Sequence, residues 1–242
     1  AQHTLLYARL STVNSDAVAQ KLMALEGGED AETFSSGMGA ISATLMALLN
    51  QGDHMVASAD IYGGTYGLLT EEFPRFGIST TMADMRDPAS YEAAIQENTK
   101  LLYIETLTNP VLKVCDIEAM ADVAKRHNLL LLIDNTFASP WGCKPLDMGV
   151  DLVLHSTTKY LGGHSDILGG AVVGSKDLIA QIFMRKVHFG AAPDPHSCYL
   201  LERGMRTLDV RMPRICEKAY NMAVRLENHP AIESVYHSKL TS

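Results

Sequence analysis

Cysteine is scarce and scattered. Cys115, Cys143, Cys198 and Cys216 are the only four in 242 residues, with no close pair and no histidines nearby at metal-finger spacing. That excludes a disulfide framework and a zinc finger, and reduced thiols are expected. Basic residues are also few. Twenty lysines and arginines against 28 acidic residues give a formal net charge of -8, which argues against a general nucleic-acid surface but leaves room for a compact anion held locally. No apolar run is long enough to span a bilayer, and residues 1–30 lack the basic-then-apolar order of a signal peptide. No membrane partner is expected, and the expected location is the cytoplasm. The nucleotide-binding order Gly-x-x-x-x-Gly-Lys-Ser/Thr is absent, as is a Gly-x-Gly-x-x-Gly turn after a first strand. Ser165 does not sit in a Gly-x-Ser-x-Gly elbow. His164 and Asp166 are close enough to pair, but without a third ligand they make no metal site.

What is present is a regular alternation. HMVAS (54–58), GISTTM (77–82), KLLYIET (100–106), LLLLIDN (129–135), VDLVLHS (150–156) and AVVGS (171–175) read as strands, and 38–50, 64–73, 88–97 and 116–127 as the helices between them. Many of these strands are continuous apolar runs, so both faces are expected to be buried in a mostly parallel sheet covered by helices. Asp87-Pro88 and Cys115-Asp116 mark capped helix starts. A helix is expected at about 16–26, and 195–209 and 215–228 also read as helices. AIESVYH (231–237) reads as a strand that opens a further domain. The expected organisation is an N-terminal arm at 1–15, a large domain at 16–210, and a linker helix with the start of a truncated C-terminal domain at 211–242.

Ligands of open parallel sheets sit beyond the carboxyl ends of the strands. That rule gathers residues far apart in sequence. Lys159 follows VDLVLHS among hydroxyls and glycines, where partial desolvation favours a neutral amine able to attack a carbonyl. Asp134 ends LLLLID, and a carboxylate there asks for a cationic partner, although alone it also reads as a cap or turn residue. Ser36-Gly37-Met38-Gly39 opens a helix whose free N–H groups attract a phosphate, and Ser156 and Thr158 add hydroxyls. Tyr62, in the glycine-rich ADIYGGTYG, can stack on a flat ring. Asn109, in TLTNP, can bond a ring oxygen or simply mark a turn. Glu105 is ambiguous. Together they suggest an enzyme that works through an aldehyde cofactor.

The motifs carry a resemblance as well. YARLS, KLMALEGGEDA, SSGMGAI, DIYGGTYGLL, IETLTNP, LLLIDNTFASP, HSTTKYLGGHSD, RGMRTLDVRM and HPAIESV, in this order, resemble the transsulfuration family of fold-type I pyridoxal-phosphate enzymes, which holds the cystathionine and methionine γ-lyases, cystathionine γ-synthase and O-acetylhomoserine sulfhydrylase. The resemblance implies the α/β large domain of that fold, with pyridoxal 5'-phosphate as cofactor and no metal. Lys159 matches the lysine that binds the cofactor aldehyde, and Asp134 the partner of the ring nitrogen. Tyr62 matches the stacking tyrosine that assists the leaving group, and Asn109 the asparagine beside the ring hydroxyl. Gly37, Met38, Ser156 and Thr158 match the phosphate cup. Tyr7 and Arg9 match a pair that reaches the phosphate of the adjacent subunit. A homotetramer, built as a dimer of dimers with shared sites, is implied. The chain departs from the family at Ser11-Thr12-Val13-Asn14, where Gly-Asn-Pro-Thr is common, and at Gly64, where methionine γ-lyases carry a cysteine. The arginine that holds the substrate carboxylate is expected in a C-terminal domain beyond residue 242.

The expected reaction on a small amino-acid substrate is γ-elimination from a sulfur amino acid of the cystathionine or methionine type, giving a keto acid, ammonia and a thiol. γ-Replacement on an activated homoserine is the alternative, and a non-catalytic scaffold that keeps the fold is a remote one.

Overall fold

Apolar runs build the middle of the molecule. The structure, a computed structural model, describes residues 7–240. Strands β1 (Asp30–Phe34), β2 (His54–Ser58), β3 (Ser79–Ala83), β4 (Thr99–Glu105), β5 (Leu130–Asp134), β6 (Leu152–His155) and β7 (Gly170–Gly174) form one sheet in the order β1-β7-β6-β5-β4-β2-β3. Strands β2 to β6 are parallel to their neighbours within that set. β7 runs antiparallel to both β6 and β1. The expected mostly parallel sheet is therefore present with one reversed strand.

Helices cover both faces. They are α1 (Val13–Glu26), α2 (Gly37–Leu48), α3 (Gly63–Gly67), α4 (Pro88–Ala93), α5 (Ile117–Arg126), α6 (Ser139–Gly142), α7 (Lys176–Phe189), α8 (Pro195–Met205) and α9 (Leu208–Glu227). Thr12, Ser36, Asp87, Asp116 and Asp194 each accept an N–H of the first turn that follows them, worth about 1 kcal/mol per cap. Strand alternation then divides the core. Leu132 and Leu154 pack with Leu45 of α2 and Ile182 of α7 on one face, whereas Leu131, Ile133 and Val153 pack with Met120 and Val123 of α5 on the other. Val18 and Leu22 of α1 join Leu201 and Met205 of α8 over Ala171 and Val173. Each such buried side chain contributes roughly 1.5–3 kcal/mol.

The structure differs from the sequence reading at several places. DAETF forms edge strand β1, unanticipated because charged residues alternate with its apolar ones. Helix α7 was also not anticipated. The stretch 64–73 starts as α3, then passes through a π turn at Leu68–Glu72 and a 3-10 turn at Phe73–Phe76. The break between the last two helices lies at 206–207, where it was expected between 209 and 215, and α9 runs through Pro213. AIESVYH forms no strand: it has no sheet partner among the described residues, and Ile232 and Tyr236 are exposed.

Candidate active site

The parallel register sets the rim. Glu105 and Asp134, the last residues of β4 and β5, are direct partners, so their side chains leave the same face of the sheet. Beyond β6 the chain turns sharply, and the Lys159 N–H donates to the Ser156 carbonyl at 3.2 Å. The N-terminus of α2 comes in from the adjoining loop. These elements enclose a cavity of about 240 Å³ lined by Gly37, Met38, Tyr62, Asn109, Asp134, Ser156, Thr158 and Lys159, together with Ser36, Glu105, Thr136, Phe137 and apolar Ile41, Leu107 and Leu168. Eight of the ten residues singled out from the sequence thus share one cavity. Tyr7 and Arg9 do not line it. The Arg9 guanidinium instead donates to the Val187 carbonyl at 2.7 Å and lies 5.3 Å from the Tyr7 ring centroid.

Glycine makes one wall possible. A Cβ at Gly37 would lie 2.8 Å from the Ser156 Cβ and 2.9 Å from its Oγ, so the first turn of α2 can approach the end of β6 only because residue 37 has no side chain. The Ser36 Oγ accepts the Gly39 N–H at 2.9 Å. The N–H groups of Gly37 and Met38, at the very start of the helix, have no intrahelical acceptor and form the positive end of its dipole. The Thr158 hydroxyl is already engaged: it donates to the Gly169 carbonyl at 3.2 Å and accepts the Gly169 N–H at 3.1 Å.

Charge in the cavity is out of balance. Burial pushes the Asp134 carboxyl above its ordinary value, while the Thr136 hydroxyl and N–H, bonded to it at 2.5 and 2.9 Å, pull the other way, helped by His155. Burial, and then the neighbouring Asp134, push Glu105 up to about 8. Among the described residues, no cationic side chain is paired with either carboxylate. The Lys159 ammonium has no hydrogen-bond or ion-pair partner among the described residues.

Several supporting residues escaped the sequence reading. The Thr136 hydroxyl also accepts the Ser156 N–H at 2.8 Å, which ties Asp134 to the start of the lysine turn. Arg211 donates to the Tyr160 and Gly204 carbonyls at 2.7 and 2.9 Å and pins the loop after Lys159 to the α8–α9 junction. On the far face of the sheet, His155 meets Glu26 at 2.6 Å with both side chains buried, and Asn135 donates to the same carboxylate oxygen at 3.1 Å. No local signal marked their roles, since apart from Asp134 beside Thr136 the partners named here lie from 7 to 129 positions away. The suggested His164–Asp166 pair is not formed, because His164 Nδ1 bonds the Gly162 carbonyl at 2.8 Å.

Comparison with known proteins adds the relatives. The family described as "Cys/Met metabolism PLP-dependent enzyme" matches residues 1–242. The chain belongs to this family. It is 44% identical over 240 residues to the L-methionine gamma-lyase of Porphyromonas gingivalis, covering 98% of this chain and 60% of that one. It is 46% identical over 238 residues to the cystathionine gamma-lyase of Bacillus subtilis, covering 98% and 62%. The crystal structure of cystathionine gamma-lyase from Lactobacillus plantarum, complexed with L-serine, superposes with a TM-score of 0.93 at 42% identity, over 97% of this chain and 61% of that one. The chain thus spans about 60% of the length of these relatives. It has the fold-type I architecture of the Cys/Met metabolism family, whose members use pyridoxal phosphate. The cavity fits such a cofactor on three counts: the cradle that a Cβ at Gly37 would fill, a desolvated carboxylate at Asp134 without a cationic partner, and an amine at Lys159 that no carboxylate holds.

Proposed function

We propose that this chain carries the cofactor site of a pyridoxal-phosphate-dependent carbon–sulfur lyase. Its substrate would be a small sulfur amino acid of the cystathionine or methionine type, cleaved by γ-elimination to a keto acid, ammonia and a thiol. The observation that carries the reading is the meeting, in one cavity, of an unpaired lysine amine, a desolvated aspartate and the open N-terminus of α2. When bound, pyridoxal phosphate supplies a sink for electrons released at carbons near the substrate nitrogen.

The residues divide the remaining work. Lys159 would hold the aldehyde carbon of the cofactor. When free, its Nζ would be the base that takes and returns protons at the substrate carbons. Asp134 keeps a proton on the ring nitrogen, and the Thr136 bonds keep that carboxylate aimed. The N–H groups of Gly37 and Met38 and the Ser156 hydroxyl take phosphate oxygens. Thr158 joins them when its hydroxyl turns from the Gly169 carbonyl. Tyr62, with a half-exposed ring and its N–H fixed by Glu105, stacks on the cofactor and protonates the departing sulfur. Asn109 sits beside the ring hydroxyl. Tyr7 and Arg9 reach the phosphate of a neighbouring subunit, in a cytoplasmic homotetramer built as a dimer of dimers.

γ-Replacement is the second reading, and the relatives favour it, while Gly64 weakens only a strictly methionine-specific lyase. Relatives of nearly the same identity include a probable cystathionine gamma-synthase from Herpetosiphon aurantiacus, 43% identical over 237 residues. A Cβ at Gly64 would also lie 2.5 Å from the Tyr62 ring, so the cysteine of methionine γ-lyases is not accommodated with the ring in this position. Incubating the cofactor-loaded protein with cystathionine, with methionine, and with O-acetylhomoserine plus sulfide distinguishes the two outcomes. Keto acid from cystathionine or methionine supports the lyase; a new thiol or thioether without keto acid supports replacement. Product from none of them rejects both.

A further inference from the structure

One buried carboxylate joins the two loops that carry Tyr62 and Asn109. Glu105 ends β4 with 4% of its surface exposed. Its Oε1 accepts the Tyr62 N–H at 2.8 Å, and its Oε2 accepts the Asn109 N–H at 3.3 Å. Tyr62 lies 43 positions earlier in the chain and Asn109 four later, so no local turn explains the arrangement. Lys113 and Asp60 link the same two loops again through an ion pair at 2.5 Å, nearer solvent. We propose that Glu105 is a positioning residue of this site: as a carboxylate it clamps the Tyr62 loop to the Asn109 loop and presents both side chains to the cavity. This rests on reading the cavity as the cofactor site.

The hydrogen-bond inventory makes the clamp dependent on ionisation. A carboxylate accepts on both oxygens, whereas a neutral carboxyl keeps one good acceptor and turns its other oxygen into a donor. Two N–H groups approach Glu105, one at each oxygen, so the observed pairing belongs to the ionised form. Its surroundings oppose that form. Burial is the larger cause, and Asp134, which faces it from β5, adds to the effect, so that protonation and release balance at about 8. The other titratable groups nearby are Tyr103 on its own strand and Tyr91 on α4, both buried, with the Tyr62 phenol and the Lys159 amine lining the same cavity. β2 presents Ser58 at this end, and its one titratable residue, His54, sits at the other. The clamp therefore closes as pH rises through about 8 and loosens below it.

The test compares wild type with Glu105→Gln, which keeps the shape and one acceptor but replaces the second with a donor. Pyridoxal phosphate is titrated into both apo-proteins from about pH 6 to about pH 9, and the ratio of their dissociation constants is followed, because titration of the cofactor itself cancels in the ratio. Near pH 6 the two should agree within a factor of about three, and near pH 9 the variant should bind roughly tenfold more weakly. A ratio that stays flat across the range overturns the proposal, since a merely structural role has no reason to follow this proton. If the variant does not fold, hydrogen exchange of the Tyr62 and Asn109 amides in wild type is measured against the Asn135 amide, which bonds the Leu154 carbonyl. Protection of the first two should rise relative to the third through about pH 8, and an unchanging ratio overturns the clamp. A wild-type protein that binds no pyridoxal phosphate, or binds it equally well as Lys159→Ala, instead rejects the cofactor reading beneath it.

Discussion

Replacing Gly37 with alanine sets two effects against each other. Alanine is the better helix former, by up to about 1 kcal/mol. Its Cβ, however, would stand 2.8 Å from the Ser156 Cβ, where ordinary van der Waals contact begins at 3.4 Å. Ser156 has little freedom to retreat, because its N–H is bonded to the Thr136 hydroxyl at 2.8 Å and it directly follows β6, whose residues are all buried. The first turn of α2 has to yield instead. Overpacking of this kind costs about 1–3 kcal/mol, so the net loss of stability is about 0–3 kcal/mol and the protein still folds. The larger effect falls on anion binding: the Gly37 and Met38 N–H groups move off the cup, and affinity for pyridoxal phosphate and for inorganic phosphate should drop about tenfold or more, equivalent to about 1.4 kcal/mol. Fluorescence titration with both ligands, alongside thermal melts, measures the two quantities separately. Gly67→Ala is the control, since nothing lies within 4 Å of a Cβ there and its backbone is helical; it should leave both affinities unchanged and raise stability by up to about 1 kcal/mol. A Gly37→Ala protein with wild-type phosphate affinity would refute the assignment of the α2 N-terminus as the cup.

Other substitutions probe the surrounding structure. Glu26→Ala or His155→Ala strands the other half of a fully buried pair and should cost about 3–5 kcal/mol, read as a lower midpoint in urea; a loss under about 1 kcal/mol would mean that the pair contributes little to holding α1 on the sheet. Gly64→Ala should displace the half-exposed Tyr62 ring with little change in melting temperature but a fall in turnover, and unchanged kinetics would show that the position of the ring is not needed. The pH dependence of stability follows from Glu105, whose carboxyl is raised from 4.5 to about 8 in the folded protein. Its stabilising contribution is complete below about pH 4.5 and is lost as pH rises to about 8, on the order of 5 kcal/mol before any relaxation. Denaturation of Glu105→Gln should therefore show stability relative to wild type improving from acid toward about pH 8; a constant difference would mean that the carboxyl is not desolvated. Arg211→Ala removes the donor to the Tyr160 and Gly204 carbonyls and should speed hydrogen exchange in the loop after Lys159, while equal exchange would show that the loop holds itself.

The strands that carry the site were legible because their physics is local. LLLLID and LVLH are uniform apolar runs that only a sheet covered on both faces satisfies, and the polar residue ending each run marks the rim. Strand β1 was missed for the converse reason: at the sheet edge one face of DAETF meets polar surroundings, as where Glu32 pairs with Lys186 at 2.8 Å, so its pattern carries charge. AIESVYH has the composition of a strand, but a strand also needs a partner for its backbone, and composition supplies none.

Eight cavity residues could be named in advance because the rule that places ligands at strand carboxyl ends needs only element order, and because the motifs matched a family in sequence. Glu105 stood among the candidates without a role, since its meaning lies in two N–H groups brought to it by separate loops. Thr136, Arg211 and the Glu26–His155 pair lay within the quoted motifs but received no role, because bonds to distant segments give them one.

By itself, then, the sequence determined most of the strands and helices, the rim they share, and which residue types stand on it, because periodicity, capping and burial act over a few residues. Only the tertiary structure decided which carboxylates are desolvated, which amine is left unpaired, and how closely α2 approaches β6. Those quantities depend on distances between atoms remote in the chain, and they fix whether a charge is paid back by a partner or left to bind a ligand.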